Sequence, residues 1–325
     1  GDLFGFTKNN SNLTREHFTP TDDLDDREVD EVDSNGNPTG RTIMIEEYSK
    51  FLNWINGYDE KDSDDDNSTT DARYEMSDPL HSKPIVVDYN DNDATVYVSS
   101  NDGTLHGVDA KTGEELFAFV PERVLPNLYN KYKNGAAEHQ YGLDLTWAAY
   151  KHDSDKNGDI DANDDFVYIY GGMRRGGDSL YALDVTNIHS SKLKSERIPK
   201  FKWEINPSTS SEFSNMGQTW STPILTKIKF NGENRVVMIF GGGYDTINDS
   251  NNVSLLKQKG NQIYMLDAKT GELLWWASDR SSSADVKIDD MKYSIPNKIS
   301  AIDVNNDGYL DYLYANDVAG QIFKF

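Results

Sequence analysis

The sequence predicts an all-β protein, a β-propeller of four-stranded antiparallel blades with a small helical or irregular N-terminal segment. From residue 81 onward, short strand-like runs recur in groups of four, with glycine and aromatic residues in the same phase of each group. The six-residue turns at 109–114 and 267–272 are identical, and each lies between a third and a fourth strand. Repetition of a whole four-strand unit is typical of propeller blades. A β-sandwich is the competing all-β interpretation, but it does not explain the repetition.

The repeat also predicts how the chain is divided. We assign residues 1–78 to an acidic N-terminal segment and residues 79–325 to the propeller. The predicted blades are 79–122, 141–205, 218–278 and 293–325. The last blade reaches only its third strand, and closed propellers have about four to eight blades, so we expect this chain to be part of a larger propeller.

The N-terminal segment is predicted to contain one helix and a polar linker. Thr42 is a candidate N-cap for a helix from residue 43 to about residue 56, because apolar side chains recur there at helical spacing and Gly57 follows. The stretch 59–71 is rich in Asp but lacks a turn glycine. We interpret it as a solvated connector rather than a metal site.

Composition excludes several classes of function. The chain has 55 acidic and 32 basic residues, a net charge of −23, which repels phosphate backbones and attracts divalent cations, so we expect no nucleic-acid partner. The absence of cysteine excludes a disulfide framework, a thiolate metal site and a cysteine nucleophile.

No run approaches about 18 apolar residues, so we expect no membrane-spanning helix. The chain begins without Met or a signal peptide, and we expect it to be a processed or excised fragment.

Residues 303–311 (DVNNDGYLD) have the spacing of an EF-hand-like calcium loop between two strands. Side-chain oxygens fall at loop positions 1, 3, 5 and 9, and glycine occupies position 6, where such a loop turns sharply. Hard oxygen ligands suit Ca²⁺ better than a transition metal. A metal-free turn rich in Asn, Asp and Gly is the alternative interpretation. The predicted ligands are the side chains of Asp303, Asn305, Asp307 and Asp311 and the carbonyl of Tyr309.

Residues 153–164 (DSDKNGDIDAND) have the same pattern in the second blade, with a further acid at position 12. That acid is Asp rather than the usual Glu, and its shorter side chain is less able to bind in a bidentate manner. The predicted ligands are the side chains of Asp153, Asp155, Asn157, Asp161 and Asp164 and the carbonyl of Asp159. The corresponding turns at 88–93, which lacks glycine, and at 231–234 are predicted to be plain turns.

The glycine-rich stretch 171–178 carries two arginines. A phosphate cradle is one interpretation, but no helix follows and no Gly-Lys-Ser/Thr is present. We favour a crowded strand-to-strand corner that requires glycine. We find no nucleophile elbow and no locally supported Ser/His/Asp order, and therefore predict no catalytic residue.

Seven stretches of the propeller carry a further signal when they are taken in order, namely 101–106, 114–121, 174–186, 217–223, 240–245, 291–296 and 303–311. Together they resemble the C-terminal β-propeller domain of the PilY1 (PilC) family of type IV pilus biogenesis proteins and tip adhesins. The segment 54–57 is similar to the stretch that precedes the propeller in that family, so the resemblance covers roughly residues 43–325.

The resemblance implies an exported protein of the cell surface or outer membrane, associated with the pilus (fimbrium). It implies support of pilus biogenesis by opposing retraction, adhesion to host or abiotic surfaces, and pilus subunits or minor pilins as partners. It also implies Ca²⁺ at the 303–311 loop, with occupancy tuning extension against retraction. Two differences between this sequence and the family limit what the resemblance implies. Residues 175–178 read Arg-Gly-Gly-Asp rather than the Arg-Gly-Asp of some members, and fewer than four blades are present.

Two other functions remain as alternatives. Residues 267–275 are similar to the blade motif of quinoprotein (PQQ) dehydrogenases, where it is a structural Trp-docking element that argues for fold rather than chemistry. The vicinal disulfide of those enzymes cannot form without cysteine. A carbohydrate-binding propeller is the third interpretation, because Tyr and Trp are plentiful. We favour a non-enzymatic, calcium-binding protein.

Overall fold

The chain separates into two compact units. A computed structural model describes residues 27–32, 38–45, 47–73, 76–133, 139–161, 163–250, 258–279 and 283–325. One unit comprises residues 78–119 and 141–325, and the other combines the described residues from 27 to 77 with those from 120 to 140.

The smaller unit contains a β-hairpin and two helices. Strands β1 (Arg27–Val32) and β2 (Pro38–Ile45) pair antiparallel, with Thr42 opposite Asp30. Helix α1 spans Glu47–Ile55 and helix α2 spans Leu125–Tyr132. The prediction that a helix begins at residue 43 is therefore wrong, because residues 43–45 complete β2 and satisfy their backbone groups by pairing with β1.

The two helices bury a shared aromatic cluster. Phe51 and Leu52 of α1 are buried with Leu128 and Tyr132 of α2. Phe51 lies edge-on to Tyr129, with ring centroids 5.6 Å apart. Helix α2 was not predicted, and neither helix of the described residues is long and apolar enough to cross a membrane.

Four sheets form the larger unit in the order the repeat predicts, and the strands within each are antiparallel except for one short strand of the third. The first blade consists of β3 (Ile85–Asn90), β4 (Asp93–Ser99), β5 (Leu105–Asp109) and β6 (Glu115–Phe119). The second consists of β7 (Ala148–His152), β8 (Phe166–Gly172), β9 (Leu180–Asp184) and β10 (Lys200–Ile205). The third consists of β11 (Ile224–Phe230), β12 (Glu233–Gly241), β13 (Ile263–Asp267), β14 (Leu273–Ser278) and β15 (Val286–Lys287). The fourth consists of β16 (Ser300–Ile302), β17 (Tyr312–Asn316) and β18 (Ile322–Lys324).

Each sheet pairs its strands in sequence order, and the first strands β3, β7 and β11 contact one another in turn. This is the arrangement of consecutive propeller blades with their first strands innermost. Two details differ from the prediction. Strand β15 pairs parallel to β14 and was not foreseen. The first strand of the second blade is predicted at 143–150, but it begins at Ala148, because the apolar run before it, including the buried Trp147, packs rather than pairs.

The core lies between adjacent blades. Tyr170 and Leu180 of the second blade pack with Phe240 and Tyr264 of the third. The opposite face of the third blade packs on the buried side chains of the fourth, Leu313, Ala315 and Phe323. Each sheet is therefore apolar on both faces where it has a neighbouring blade, which leaves the turns between strands to carry polar sites.

Candidate calcium sites

The 303–311 loop connects β16 to β17 and is curled around its first carboxylate. Asp303 accepts hydrogen bonds from the backbone N–H groups of Gly308 (2.7 Å to Oδ2) and Asp307 (3.2 Å to Oδ1). At the other end, Asp311 Oδ2 accepts from the N–H of Val304 at 2.8 Å. Positions 1 and 9 are thereby held at the two ends of a closed turn.

The middle of this loop orients the remaining predicted ligands. Asn305 Oδ1 accepts from the N–H of Asp307 at 3.0 Å, and Asp307 Oδ1 accepts from the N–H of Tyr309 at 2.9 Å. Gly308 has a φ of +86°, which only glycine adopts readily. The pattern places oxygen side chains at successive odd positions of one tight turn.

The 153–164 loop between β7 and β8 adopts the same geometry. Gly158 at position 6, with a φ of +97°, donates its N–H to Asp153 Oδ2 at 2.8 Å. The N–H of Asp159 donates to Asn157 Oδ1 at 2.7 Å, as the N–H of position 7 donates to position 5 in the other loop. The Gly158 N–H, together with other backbone donors, holds the pKa of Asp153 below its usual value.

The two loops differ in which carboxylate closes the turn by accepting a hydrogen bond from the N–H of position 2. In 153–164 the N–H of position 2, Ser154, donates to Asp165 Oδ1 at 2.8 Å. Asp165 is buried and also accepts from the N–H of Asp161 at 3.1 Å, whereas Asp164, the predicted ligand at position 12, is exposed. Asp165 thus takes the place that Asp311 has in the other loop. Its signal in the sequence is its position directly before the strand that begins at Phe166.

Both loops are attached to the preceding blade at the same loop position. The N–H of Ile160 donates to the carbonyl of Tyr89 in β3, and the N–H of Leu310 donates to the carbonyl of Lys227 in β11, each at 2.8 Å. Position 8 of each loop is therefore bonded to an innermost strand of the preceding blade.

The donor set of each loop consists of carboxylate, amide and carbonyl oxygens, which are the ligands that Ca²⁺ prefers. The first carboxylate of each loop, Asp303 or Asp153, accepts hydrogen bonds from backbone N–H groups of its own loop. In the part of the chain that the structure describes, the one set of three acidic side chains with oxygens within 4.8 Å of one another is elsewhere, at Asp62, Asp64 and Asp66.

That acidic stretch, predicted to be a solvated connector at 59–71, forms a series of turns in which most residues are exposed. Asp59 is buried and accepts from both the N–H and the hydroxyl of Ser63. Partial desolvation and the neighbouring Asp66 raise the pKa of Asp64. The three acids repel one another, and nothing else in this turn indicates a ligand.

The glycine-rich stretch 171–178 is a packing feature. A Cβ on Gly171 would lie 2.2 Å from the ring of Trp147, so a side chain cannot be accommodated there. Arg175 makes a two-pronged contact with Asp249, with both nitrogen–oxygen distances 3.1 Å, and the Arg174 guanidinium lies 4.3 Å from the ring of Trp220. Both arginines are engaged by protein groups.

Known proteins are similar to this chain across the propeller. A family model described as the PilY1 beta-propeller domain matches residues 83–325. The type IV pilus biogenesis factor PilY1 of Pseudomonas aeruginosa (strain UCBPP-PA14) is 33% identical over 241 residues, covering 71% of this chain and 17% of that protein. A PilY1 homolog of Xylella fastidiosa (strain Temecula1 / ATCC 700964) is 30% identical over 234 residues, covering 71% of this chain and 14% of that protein.

Among solved structures, the Pseudomonas aeruginosa PilY1 C-terminal domain is 24% identical, with a TM-score of 0.45, and the match covers 72% of this chain and 38% of that one. The chain spans less than a fifth of the length of the two curated relatives. Since the family model covers most of its residues, the chain belongs to the PilY1 β-propeller family.

Proposed function

We propose that this chain is the propeller of a type IV pilus biogenesis factor and that it binds Ca²⁺ at the 303–311 and 153–165 loops. Its curated relatives are named as pilus biogenesis factors rather than as enzymes, which supports a non-enzymatic role. The protein acts at the cell surface in association with pilus subunits, supports pilus assembly by opposing retraction, and contacts host or abiotic surfaces.

The observation that carries the calcium proposal is the shared geometry of the two loops. They have different sequences, yet in both the glycine at position 6 donates to the first Asp, and position 8 is bonded to the preceding blade. A plain hairpin turn, such as the one after β11, connects the same two strands in the third blade with two residues. The longer loops are additions to the blade that supply oxygen atoms.

In the first site the side chains of Asp303, Asn305, Asp307 and Asp311 and the carbonyl of Tyr309 would hold the ion. In the second, Asp165 takes the closing position of the predicted set, in which Asp153, Asp155, Asn157, Asp161 and the carbonyl of Asp159 would hold the ion and the exposed Asp164 contributes little. Bound Ca²⁺ supplies positive charge that offsets the carboxylates of each loop, in a chain with a net charge of −23.

The attachment of each loop to a neighbouring blade supports a regulatory role. A change in the loop reaches β3 or β11 through one backbone hydrogen bond, at a boundary where blades pack. Calcium occupancy at these boundaries biases the protein between the states that permit pilus extension and retraction.

The first test is calorimetric titration with Ca²⁺ of the wild type, Asp303→Ala, Asp153→Ala and the double variant. We expect two, one, one and zero sites, with Mg²⁺ as the control ion because it binds such flexible loops poorly. At a free Ca²⁺ concentration of 100 times Kd, each site should stabilise the fold by about 2–3 kcal/mol. An unchanged stoichiometry in the double variant would remove the calcium proposal.

The biogenesis role is tested separately, with the full-length protein in its own bacterium. Loss of the protein should reduce the number of surface pili, and disabling retraction should restore it. Asp303→Ala should change the balance of extension and retraction without reducing the amount of protein. If surface pili are unchanged in the absence of the protein, the role in pilus biogenesis is wrong, whatever the calorimetry shows.

A further inference from the structure

A lysine from the third blade lies against the calcium loop of the fourth. Lys229, in β11, places its Nζ 3.5 Å from Asp307 Oδ2. The same ammonium lies 4.4 Å from the centroid of the Tyr309 ring. Asp307 and Tyr309 occupy loop positions 5 and 7, and each contributes an oxygen to the proposed site. A cation of the protein is therefore in contact with the residues that would hold Ca²⁺.

Backbone contacts determine the position of this lysine. The N–H of Leu310 donates to the carbonyl of Lys227, two residues before Lys229 in the same strand. Lys229 pairs with Asn234 in β12, one step before the hairpin ends. The ammonium is attached to a strand that is held both to the loop and to its own sheet, so its local concentration at the loop is high.

At the second loop, a strand lysine contacts backbone carbonyl oxygens. Lys151, in β7, donates to the carbonyl oxygens of Gly158 (2.6 Å) and Asp88 (2.9 Å) rather than to a carboxylate. It connects the loop to the preceding blade and leaves the acidic ligands to the ion. The two loops therefore share their backbone geometry but differ in where the nearby ammonium binds.

An ammonium beside a ligand carboxylate opposes a divalent ion in two ways. It occupies an acceptor that the ion needs, and it repels the ion at short range. Lys229 is well exposed, so water and salt screen the repulsion but do not abolish it. Removing the charge should therefore tighten binding by a modest factor.

We propose that Lys229 is a tethered cation that competes with Ca²⁺ at the 303–311 loop and lowers the calcium affinity of that loop. The inference rests on the proposed function, because it assumes that the loop binds Ca²⁺. Its consequence is that the two loops fill over different ranges of Ca²⁺ concentration. Filling of the fourth-blade loop displaces Lys229 from Asp307, which transmits occupancy to β11.

The test measures Ca²⁺ dissociation constants by calorimetry in an Asp153→Ala background, so that only the 303–311 loop titrates. Lys229→Gln should bind Ca²⁺ about 3- to 10-fold more tightly than the background protein. Lys229→Arg retains the charge and should stay within about 2-fold of it. Lys227→Gln is the matched control, since it removes the same charge from the same exposed face of β11 and should change the constant less than Lys229→Gln does.

Ionic strength provides a readout that a purely structural role would not change. The difference in Ca²⁺ affinity between Lys229→Gln and the background protein should become smaller as the KCl concentration is raised, because salt screens the repulsion that the variant removes. Equal affinities for Lys229→Gln and Lys227→Gln would overturn the inference and leave the calcium site standing. If the 303–311 loop binds no Ca²⁺ in either the Asp153→Ala background or the wild type, both the Lys229 inference and the calcium site at this loop are overturned.

Discussion

The backbone N–H of Ile160 donates to the carbonyl of Tyr89 at 2.8 Å, across the boundary between the second blade and the first. The Tyr89 side chain is buried on the other side of this strand, where its ring stacks on His189 with a centroid separation of 4.8 Å. Its hydroxyl contacts Tyr97 Oη and donates to the carbonyl of Val185. One residue of β3 thus joins the candidate calcium loop to the packed interface of two blades.

Tyr89→Phe should destabilise the fold by about 1–3 kcal/mol, because it leaves the buried carbonyl of Val185 and the hydroxyl of Tyr97 short of a partner. Urea-induced unfolding monitored by tryptophan fluorescence measures this loss. Tyr312→Phe is the control, since Tyr312 is 40% exposed, and it should cost less than about 0.5 kcal/mol. Equal costs for the two variants would show that the hydroxyl network does not hold the interface.

Gly308→Ala should destabilise the protein by about 1–2 kcal/mol in the absence of Ca²⁺, because its φ of +86° is unfavourable for a residue with Cβ. There is space for the methyl group, so the cost comes from the backbone rather than from a clash. Asn306→Gly, at a φ of +56°, is the matched reverse change and should be neutral or slightly stabilising. Denaturant titration in the presence of a chelator checks both, and no loss in Gly308→Ala would show that the turn relaxes to another conformation.

Asp165→Asn should weaken calcium binding at the second loop by about 10-fold or more, because Asp165 closes that loop from a buried position. Asp164→Asn should weaken it by less than about 3-fold, as expected for an exposed side chain. Both are measured by calorimetry in an Asp303→Ala background, where only the second loop titrates. A larger effect at Asp164 would restore the ligand set predicted from the spacing.

Stability should fall as the pH is lowered from 7 to 5, and part of the loss should come from His189. Burial lowers the pKa of His189 despite the nearby Asp93 carboxylate, which lies 3.5 Å from its Nδ1. The unfolded chain then binds the proton more readily than the folded one, so stability is present above the unfolded pKa of about 6.5 and is lost below it. His189→Gln should flatten the slope of the unfolding free energy against pH.

The groups around His189 separate this effect from that of Asp93. Hydrogen bonds from Ser190 and Ser191 overcome partial burial and hold the pKa of Asp93 well below its usual value, so its contribution is lost only as the pH falls below about 4. Lys192 and Arg197 further oppose protonation of His189. The control is His139→Gln at an exposed position, which should change the slope between pH 5 and 7 less than His189→Gln does. An unchanged slope in His189→Gln would contradict the assignment.

Much of the fold could be predicted from the sequence because propeller strands are short and their turns are local. The Asp109 and Asp267 turns illustrate this, since each Asp accepts hydrogen bonds from the N–H groups two and three residues ahead. Such contacts need no distant partner and therefore repeat wherever the residues repeat. The curl of each calcium loop around Asp153 or Asp303 is local for the same reason.

Prediction failed where a distant segment competed. Residues 43–45 are predicted to belong to the helix because Met44 is in phase with the apolar side chains that follow it, yet they complete β2 by pairing with β1. Helix α2 packs against α1 although about 70 residues separate them, and neither shows its partner in its own sequence.

By itself, the sequence determined the blade repeat, the glycine at position 6 of each loop and the oxygen atoms at its odd positions, because all of these depend on residues a few positions apart. Only the tertiary structure decided that Asp165 rather than Asp164 closes the second loop, and that Lys229 reaches Asp307. The role of Asp165 depends on where β8 begins, and the contact between Lys229 and Asp307 depends on which strand lies beside the 303–311 loop. Both are set by the pairing and stacking of whole sheets, which no local spacing contains.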